Sequence, residues 1–272
     1  MARRDLTGCR VLVTGASSGI GREIVRELAK YPVRFVLVAR REDKLREIAA
    51  ELRNLDRDAE VVAGDVTDPA VRHAAVQAAQ TAFGGLDLLI NNAGVGAIGT
   101  FLQADEHRLR RVMEVNFFAA VELIRAALPL LKQGHSPLIV NVSSILGRRG
   151  IPLYTEYCAS KFALAGFSES LRAELTAEGI DLLVVSPGTT DTEFFDHLVE
   201  RKGAVPWSEN KGAPVAKVAR AVVRAIRAGR HEIIPSFRGR MLLWLNRLCP
   251  CLVDWLMGRY GRSAQGRDDV EK

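Results

Sequence analysis

Short runs of consecutive apolar residues alternate along this chain with stretches whose apolar positions recur at helical spacing. The apolar runs fall at 10–14, 34–38, 60–63, 86–90, 137–142, 180–185 and 232–234. Runs of this length, without polar alternation, predict strands covered on both faces. Between them, Ile24, Val25, Leu28 and Ala29 share one helical face, and further helices are predicted over 42–54, after Asp68-Pro69, over 106–132, from Tyr157 to about 178, and over 215–227. Strand and helix in turn predict right-handed βαβ units. The expected fold is α/β: a Rossmann-like, doubly wound parallel sheet of about seven strands with helices on both faces. No linker, internal repeat or low-complexity tract divides the chain, so one domain is expected over 1–236. The segment 193–213 has few regular signals and reads as a lid over a pocket.

Candidate chemistry sits where strands end. The first strand runs into Gly15-Ala16-Ser17-Ser18-Gly19-Ile20-Gly21 and directly into a helix. Glycines there let the backbone come close to a ligand, and the helix start offers free N–H groups to a pyrophosphate. The spacing is G-x-x-x-G-x-G. The second strand ends in Arg40 and Arg41 with no acid beside them, which suits a 2′-phosphate and therefore NADP over NAD, with Arg40 the better placed. Asn91 to Gly94 follow the fourth strand, at the edge where open α/β sheets bind ligands. Tyr157 and Lys161 lie four apart on one helix, so both can face one site. An ammonium beside a phenol favours the phenolate, and the pair predicts a depressed Tyr157 pKa.

Composition narrows this only a little. Among 272 residues, 38 Lys and Arg against 32 Asp and Glu give +6, an excess that suits an anionic cofactor or lipid surface as well as nucleic acid. No basic run with interleaved aromatics supports nucleic acid. Cys9, Cys158, Cys249 and Cys251 form no CxxC, no Cys/His cluster has zinc spacing, and no metal is expected. The start of the chain has no apolar signal-peptide core, and no eighteen consecutive residues are apolar. A cytoplasmic location is the expectation, with peripheral membrane contact through 237–260 left open.

Thr14-Gly15, Gly19-Ile20-Gly21, Asn91-Asn92-Ala93-Gly94, Asn116, Ser144, Tyr157, Lys161 and Pro187-Gly188 together resemble the motif series of the short-chain dehydrogenase/reductase family, over about 8–235. Ser144 is preferred to Ser143 because it lies thirteen residues before Tyr157. The resemblance implies a nicotinamide-dependent oxidoreductase acting on a carbonyl or secondary alcohol, with Asn116, Ser144, Tyr157 and Lys161 as the catalytic set. It gives Tyr157 the proton and Ser144 the substrate oxygen. Lys161 takes the nicotinamide ribose and the tuning of Tyr157, and Asn116 a helix distortion. It further implies cofactor contacts from Gly15, Ser17, Ser18, Gly19, Ile20, Gly21, Asp65, Val66, Asn92, Ala93, Gly94, Pro187, Gly188, Thr190 and Thr192. Position 190 is usually Ile or Val in the family and is Thr here. Cys158 reads as a packed small residue. A homodimer or homotetramer is implied as well.

Beyond 236 the chain carries two apolar stretches, 241–245 and 251–257, divided by Pro250. Six Arg against Glu232 and Asp254 lie between 230 and 262. Two amphipathic helices are predicted over 237–272, suited to a membrane interface or to packing on the domain or a second subunit. The tail resembles that of family members thought to take bulky lipophilic carbonyls. The alternatives are a 3-ketoacyl thioester reductase and a non-catalytic NADP(H)-binding regulatory protein. The intact Asn-Ser-Tyr-Lys set speaks against the last.

Overall fold

The structure is a computed structural model and describes residues 4–202 and 212–268. The seven apolar runs become β1 (Arg10–Thr14), β2 (Arg34–Ala39), β3 (Ala59–Ala63), β4 (Leu88–Asn91), β6 (Leu138–Val142), β7 (Asp181–Val185) and β9 (Glu232–Ile233), and two short strands that match no run, β5 (Ala97–Ile98) and β8 (Glu200–Arg201), join them. Seven of them form one parallel sheet in the order β3-β2-β1-β4-β6-β7-β9. The chain starts at the centre, winds outward to β3, then crosses back to β4. The order therefore reverses between β1 and β4, and a crevice opens there beyond the carboxyl ends of the strands.

Helices α1 (Gly19–Leu28), α2 (Glu42–Arg53), α3 (Pro69–Phe83), α4 (Glu106–Met113), α5 (Ala119–Leu131), α6 (Thr155–Leu175) and α7 (Val215–Arg227) cover the sheet. One face packs Ile24, Val25 and Leu28 of α1 with Val218, Val222 and Ile226 of α7 against Val11, Val13 and Leu37. The other packs Ala75 and Ala79 of α3 with Leu123, Ile124 and Ala127 of α5 against Leu12, Leu89 and Ile139. Covered on both sides, the central strands need apolar residues at every position, which is why they read as runs. Asp68 caps α3 by accepting from the Ala70 N–H, with Pro69 in its first turn.

The helix expected over 106–132 contains a π-helical turn, Glu114–Phe118, between α4 and α5, where the family resemblance implied a helix distortion at Asn116. One expectation changes. The segment expected to lack regular structure contains β8, which pairs with β5 in a separate two-stranded sheet, preceded by a 3-10 turn, Glu193–His197. Residues 203–211 of that expected lid lie outside the described residues, as do 269–272 of the tail.

The tail forms α8 (Phe237–Leu248) and α9 (Pro250–Asp268). Gly239 and Val253 are buried, but Phe237, Met241, Trp244, Leu248 and Trp255 are more than half exposed. Packing on the domain therefore leaves much of the pair's apolar surface uncovered.

Candidate active site

The glycine turn owes its shape to close packing. Gly15 and Gly19 hold φ of 64° and 53°, left-handed values that cost a side chain strain. A Cβ on Gly21 would run into the Gly15 carbonyl and the Asn92 amide. The turn is pinned from β4: Asn92 Nδ2 donates to the carbonyls of Thr14 and Gly15, both at 3.1 Å. Thr14 Oγ1 accepts from the backbone N–H of Asn92 and Ala93 at 3.0 and 3.1 Å. Asn92 thus acts through its side chain as a brace for the turn. Ser18, at the N-cap of α1, makes no side-chain capping bond, and Ser18, Gly19 and Ile20 at the start of that helix line the crevice.

Gly15, Ser17, Ser18, Gly19, Ile20, Arg40, Arg41, Asp65, Val66, Asn92, Ala93 and Gly94 line one end of a cavity of about 880 Å³. Arg40 is exposed at the rim, whereas Arg41 is half-buried and reaches Ser17 Oγ at 3.5 Å, so Arg41 is the better placed of the two. Burial pushes the Asp65 carboxyl up, but hydrogen bonds from the Thr67 N–H and the Arg111 guanidinium outweigh it and hold the group below its ordinary value. The glycine turn at a helix start, too tight for side chains, fits the pyrophosphate of a dinucleotide.

Asn116 sits at the π turn, almost wholly buried. Its Oδ1 accepts from the Val95 N–H at 2.8 Å; its Nδ2 donates to the Val95 carbonyl and to Ser160 Oγ, both at 2.9 Å. One amide thus ties the loop after β4 to α6, the element carrying Tyr157 and Lys161. The register change in the helix turns that amide inward. Gly94 is the spacer: a Cβ there would lie 3.2 Å from Asn116 Oδ1 and 3.4 Å from Lys161 Nζ. Lys161 Nζ donates to the Val142 carbonyl at the end of β6, at 3.0 Å. Ser143 Oγ donates to the Lys161 carbonyl and so supports the helix, and both Ser143 and Ser144 line the cavity.

The acid–base balance differs from expectation. Burial pushes Tyr157 up to about 12, with hydrogen bonding to Ser144 pulling the other way. Lys161 does not lower it in the protein alone: its ammonium stands 5.7 Å from the centre of the tyrosine ring, bonded to a carbonyl, and burial drops it to about 8. Cys158 is buried and its thiol pushed up by desolvation, as a packed residue should be.

The same cavity runs past Ser144, Tyr157 and Lys161, along Pro187, Gly188, Thr190 and Thr192, to an end lined by Ile145, Leu146, Phe237, Leu242 and Met257. Thr190 Oγ1 bonds the Gly188 carbonyl, and Thr192 caps the 3-10 turn by accepting from the Phe194 N–H. Every site residue expected from the sequence except Gly21 and Asn116 lines this one cavity, and those two shape its walls. Reading the sequence missed Arg111, Glu193, Phe194, Leu242 and Met257. Phe194 packs edge-on against Tyr157 with ring centres 5.5 Å apart. These residues carry no local spacing signal, because each reaches the cavity through a long-range contact.

The short chain dehydrogenase family model matches residues 10–203. A hydroxysteroid 11-beta-dehydrogenase 1-like protein of Xenopus tropicalis is 35% identical over 257 residues, covering 93% of this chain and 88% of that protein. The ketoacyl reductase HetN of a Nostoc strain is 32% identical over 262 residues, covering 94% and 90%. The structure of a short chain dehydrogenase/reductase from Burkholderia phymatum in complex with NAD superposes with a TM-score of 0.84 at 25% identity, covering 92% and 96%. The cytoplasmic location expected from the sequence does not stand, because hydroxysteroid 11-beta-dehydrogenase-like relatives are membrane-associated. No described helix is long and apolar enough to cross a membrane. With the family model covering most of the sheet and the relatives nearly the whole chain, this protein belongs to the short-chain dehydrogenase/reductase family of oxidoreductases.

Proposed function

We propose that this oxidoreductase uses NADP(H) to interconvert a bulky, lipophilic ketone or aldehyde and its alcohol. The observation that carries the reading is the continuity of the cavity. It joins a basic, glycine-lined end at Arg41 to an apolar end at Leu242 and Met257, with Tyr157 between them. When bound, the dinucleotide supplies the hydride. Ser17, Arg40 and Arg41 would take the 2′-phosphate, the turn from Gly15 to Gly21 the pyrophosphate, and Asp65 with Val66 the adenine side. Lys161 would hold the nicotinamide ribose, with Asn92 to Gly94 and Pro187 to Thr192 along the flank.

Ser144 donates a hydrogen bond to the substrate oxygen as negative charge develops there, which stabilises the transition state. Tyr157 delivers its phenolic proton to the same oxygen. A phenol held at about 12 is protonated at neutral pH, so it carries the proton that reduction of a carbonyl consumes. Asn116 and Gly94 keep Lys161 in place behind it. Residues 1–236 form the catalytic unit and 237–272 an extension of it. Met241, Trp244, Leu248 and Trp255, exposed beside Arg238, Arg240, Arg247 and Arg259, suit an anionic lipid surface at the substrate end.

A 3-ketoacyl thioester is the second reading, favoured by the likeness to a ketoacyl reductase. The test is nicotinamide oxidation with NADPH and with NADH against lipophilic ketones, aldehydes and ketoacyl thioesters. Turnover of a lipophilic ketone with preference for NADPH is expected. Turnover of thioesters alone selects the second reading. NADPH binding with no turnover of any carbonyl selects a regulatory binder.

A further inference from the structure

The adenosine end of the cavity holds a carboxylate that no cofactor contact requires. Glu193 opens the 3-10 turn after Thr192, yet it reaches across the crevice mouth to Arg41 at the start of α2. Its Oε2 accepts from Arg41 Nη1 at 2.9 Å, and its Oε1 lies 3.9 Å from Arg22 Nη1 on α1. Thr192, its neighbour, lies over the glycine turn: a Cβ on Gly19 would meet the Thr192 side chain at 3.4 Å. The segment 192–193 is therefore a strap across the cofactor's phosphate path, with its anionic end on the guanidinium that reaches Ser17.

We propose that Glu193 is a specificity-determining residue that competes with the 2′-phosphate of NADP(H) for Arg41. This rests on the reading of Arg41 as the 2′-phosphate site. A carboxylate and a phosphate both match the guanidinium fork, and like charges gathered around one guanidinium repel, so the phosphate meets a cost whether it displaces the carboxylate or binds beside it. A nucleotide without the 2′-phosphate leaves the pair intact and meets no such cost. Glu193 thus narrows the preference for NADP(H) over NAD(H) that Arg41 creates. Because the same turn places Phe194 against Tyr157, the strap also spans from the adenosine corner to the catalytic centre.

The test compares binding of 2′,5′-ADP and 5′-ADP to the full-length protein by calorimetry. In Glu193→Gln, 2′,5′-ADP should tighten roughly 2- to 10-fold, in proportion to a half-exposed ion pair plus the repulsion removed, while 5′-ADP should change less. Equal gains for both nucleotides, or no gain for 2′,5′-ADP, overturn the proposal. Arg41→Gln separates the two levels. If it leaves the discrimination between the nucleotides unaltered, the 2′-phosphate reading of Arg41 falls and this inference with it. If it erases the discrimination and Glu193→Gln fails to widen it, only the role of Glu193 falls. In the double variant, the effect of Glu193→Gln on the ratio of the two affinities should vanish.

Discussion

The two ends of the cavity are built in different ways. The nucleotide end is framed by backbone, a glycine turn, strand ends and a helix N-terminus supplied mainly by β1, β2, β4 and the turn into α1, with the Arg41 side chain at its rim. The substrate end is made of side chains from segments far apart in sequence: Ile145 and Leu146 after β6, Phe194 from the 3-10 turn, Leu242 from α8 and Met257 from α9. Backbone sites need particular residues at fixed spacing, since only glycine fits the turn and only the strand-to-helix order aims the N–H groups. Side-chain sites need only shape and apolar character, so many sequences serve. The first kind of end sets what cofactor chemistry is available, and the second sets which molecule undergoes it.

This contrast can be broken at either end or at the line between them. The largest effect belongs to the line. Ser144→Ala should lower kcat by about 10²–10³-fold while NADPH affinity stays nearly constant, because the hydroxyl meets the substrate oxygen and not the nucleotide. Stopped-flow oxidation of NADPH, with binding measured separately, checks it. Equal loss in binding would place Ser144 on the cofactor side.

Next comes a pH dependence at Lys161. In the free protein its ammonium titrates near 8, lowered by burial. Ribose hydroxyls and the anionic cofactor favour the charged form, so its pKa is higher in the complex. Binding then takes up a proton above about pH 8, and NADPH affinity should fall as pH rises, by at most about tenfold per unit. Below that pH the lysine is charged in both states and affinity should level off. Titrations across the range, repeated with Lys161→Met, check it; the variant should lose the slope. A slope of the opposite sign would mean that the complex favours the neutral amine.

The smaller effects test the substrate end. Leu242→Ala or Met257→Ala should raise KM for a bulky ketone about tenfold and leave NADPH affinity and turnover of a small aldehyde unchanged. Steady-state kinetics with the two substrates check it. A loss shared by both substrates would show that the tail supports the fold rather than the pocket. The effect of Glu193→Gln is of similar or smaller size and belongs to the nucleotide end alone.

What could be read from the sequence follows the same division. Seven strands were legible because the sheet is covered on both faces, which leaves no room for polar alternation in Val11, Leu12 and Val13 or in Leu138, Ile139 and Val140. The glycine turn and the Tyr157–Lys161 face were legible because each is local. The break at Asn116 could be placed only through the family resemblance, since a π turn keeps the helical apolar pattern nearly intact on either side. The strand β8 was not legible: two residues paired with β5 about a hundred positions away leave no periodicity. Glu193 and Arg111 were missed because a charged side chain in a surface segment has no pattern until its partner is known. The acid–base inference went wrong for a related reason. Two groups on one helix face predict a charge interaction, but the Val142 carbonyl takes the ammonium and burial dominates both pKa values.

The central claim is that Tyr157 gives a proton to a substrate carbonyl beside an independently bound NADPH. The most direct measurement is ketone-dependent NADPH oxidation by the parent and by Tyr157→Phe, with NADPH affinity taken on the same preparations. The account predicts a fall in rate of about 10³-fold or more with affinity nearly unchanged, because the phenylalanine keeps the ring and its contact with Phe194 and removes only the proton. A Tyr157→Phe protein that turns over the ketone at the parent rate would contradict it.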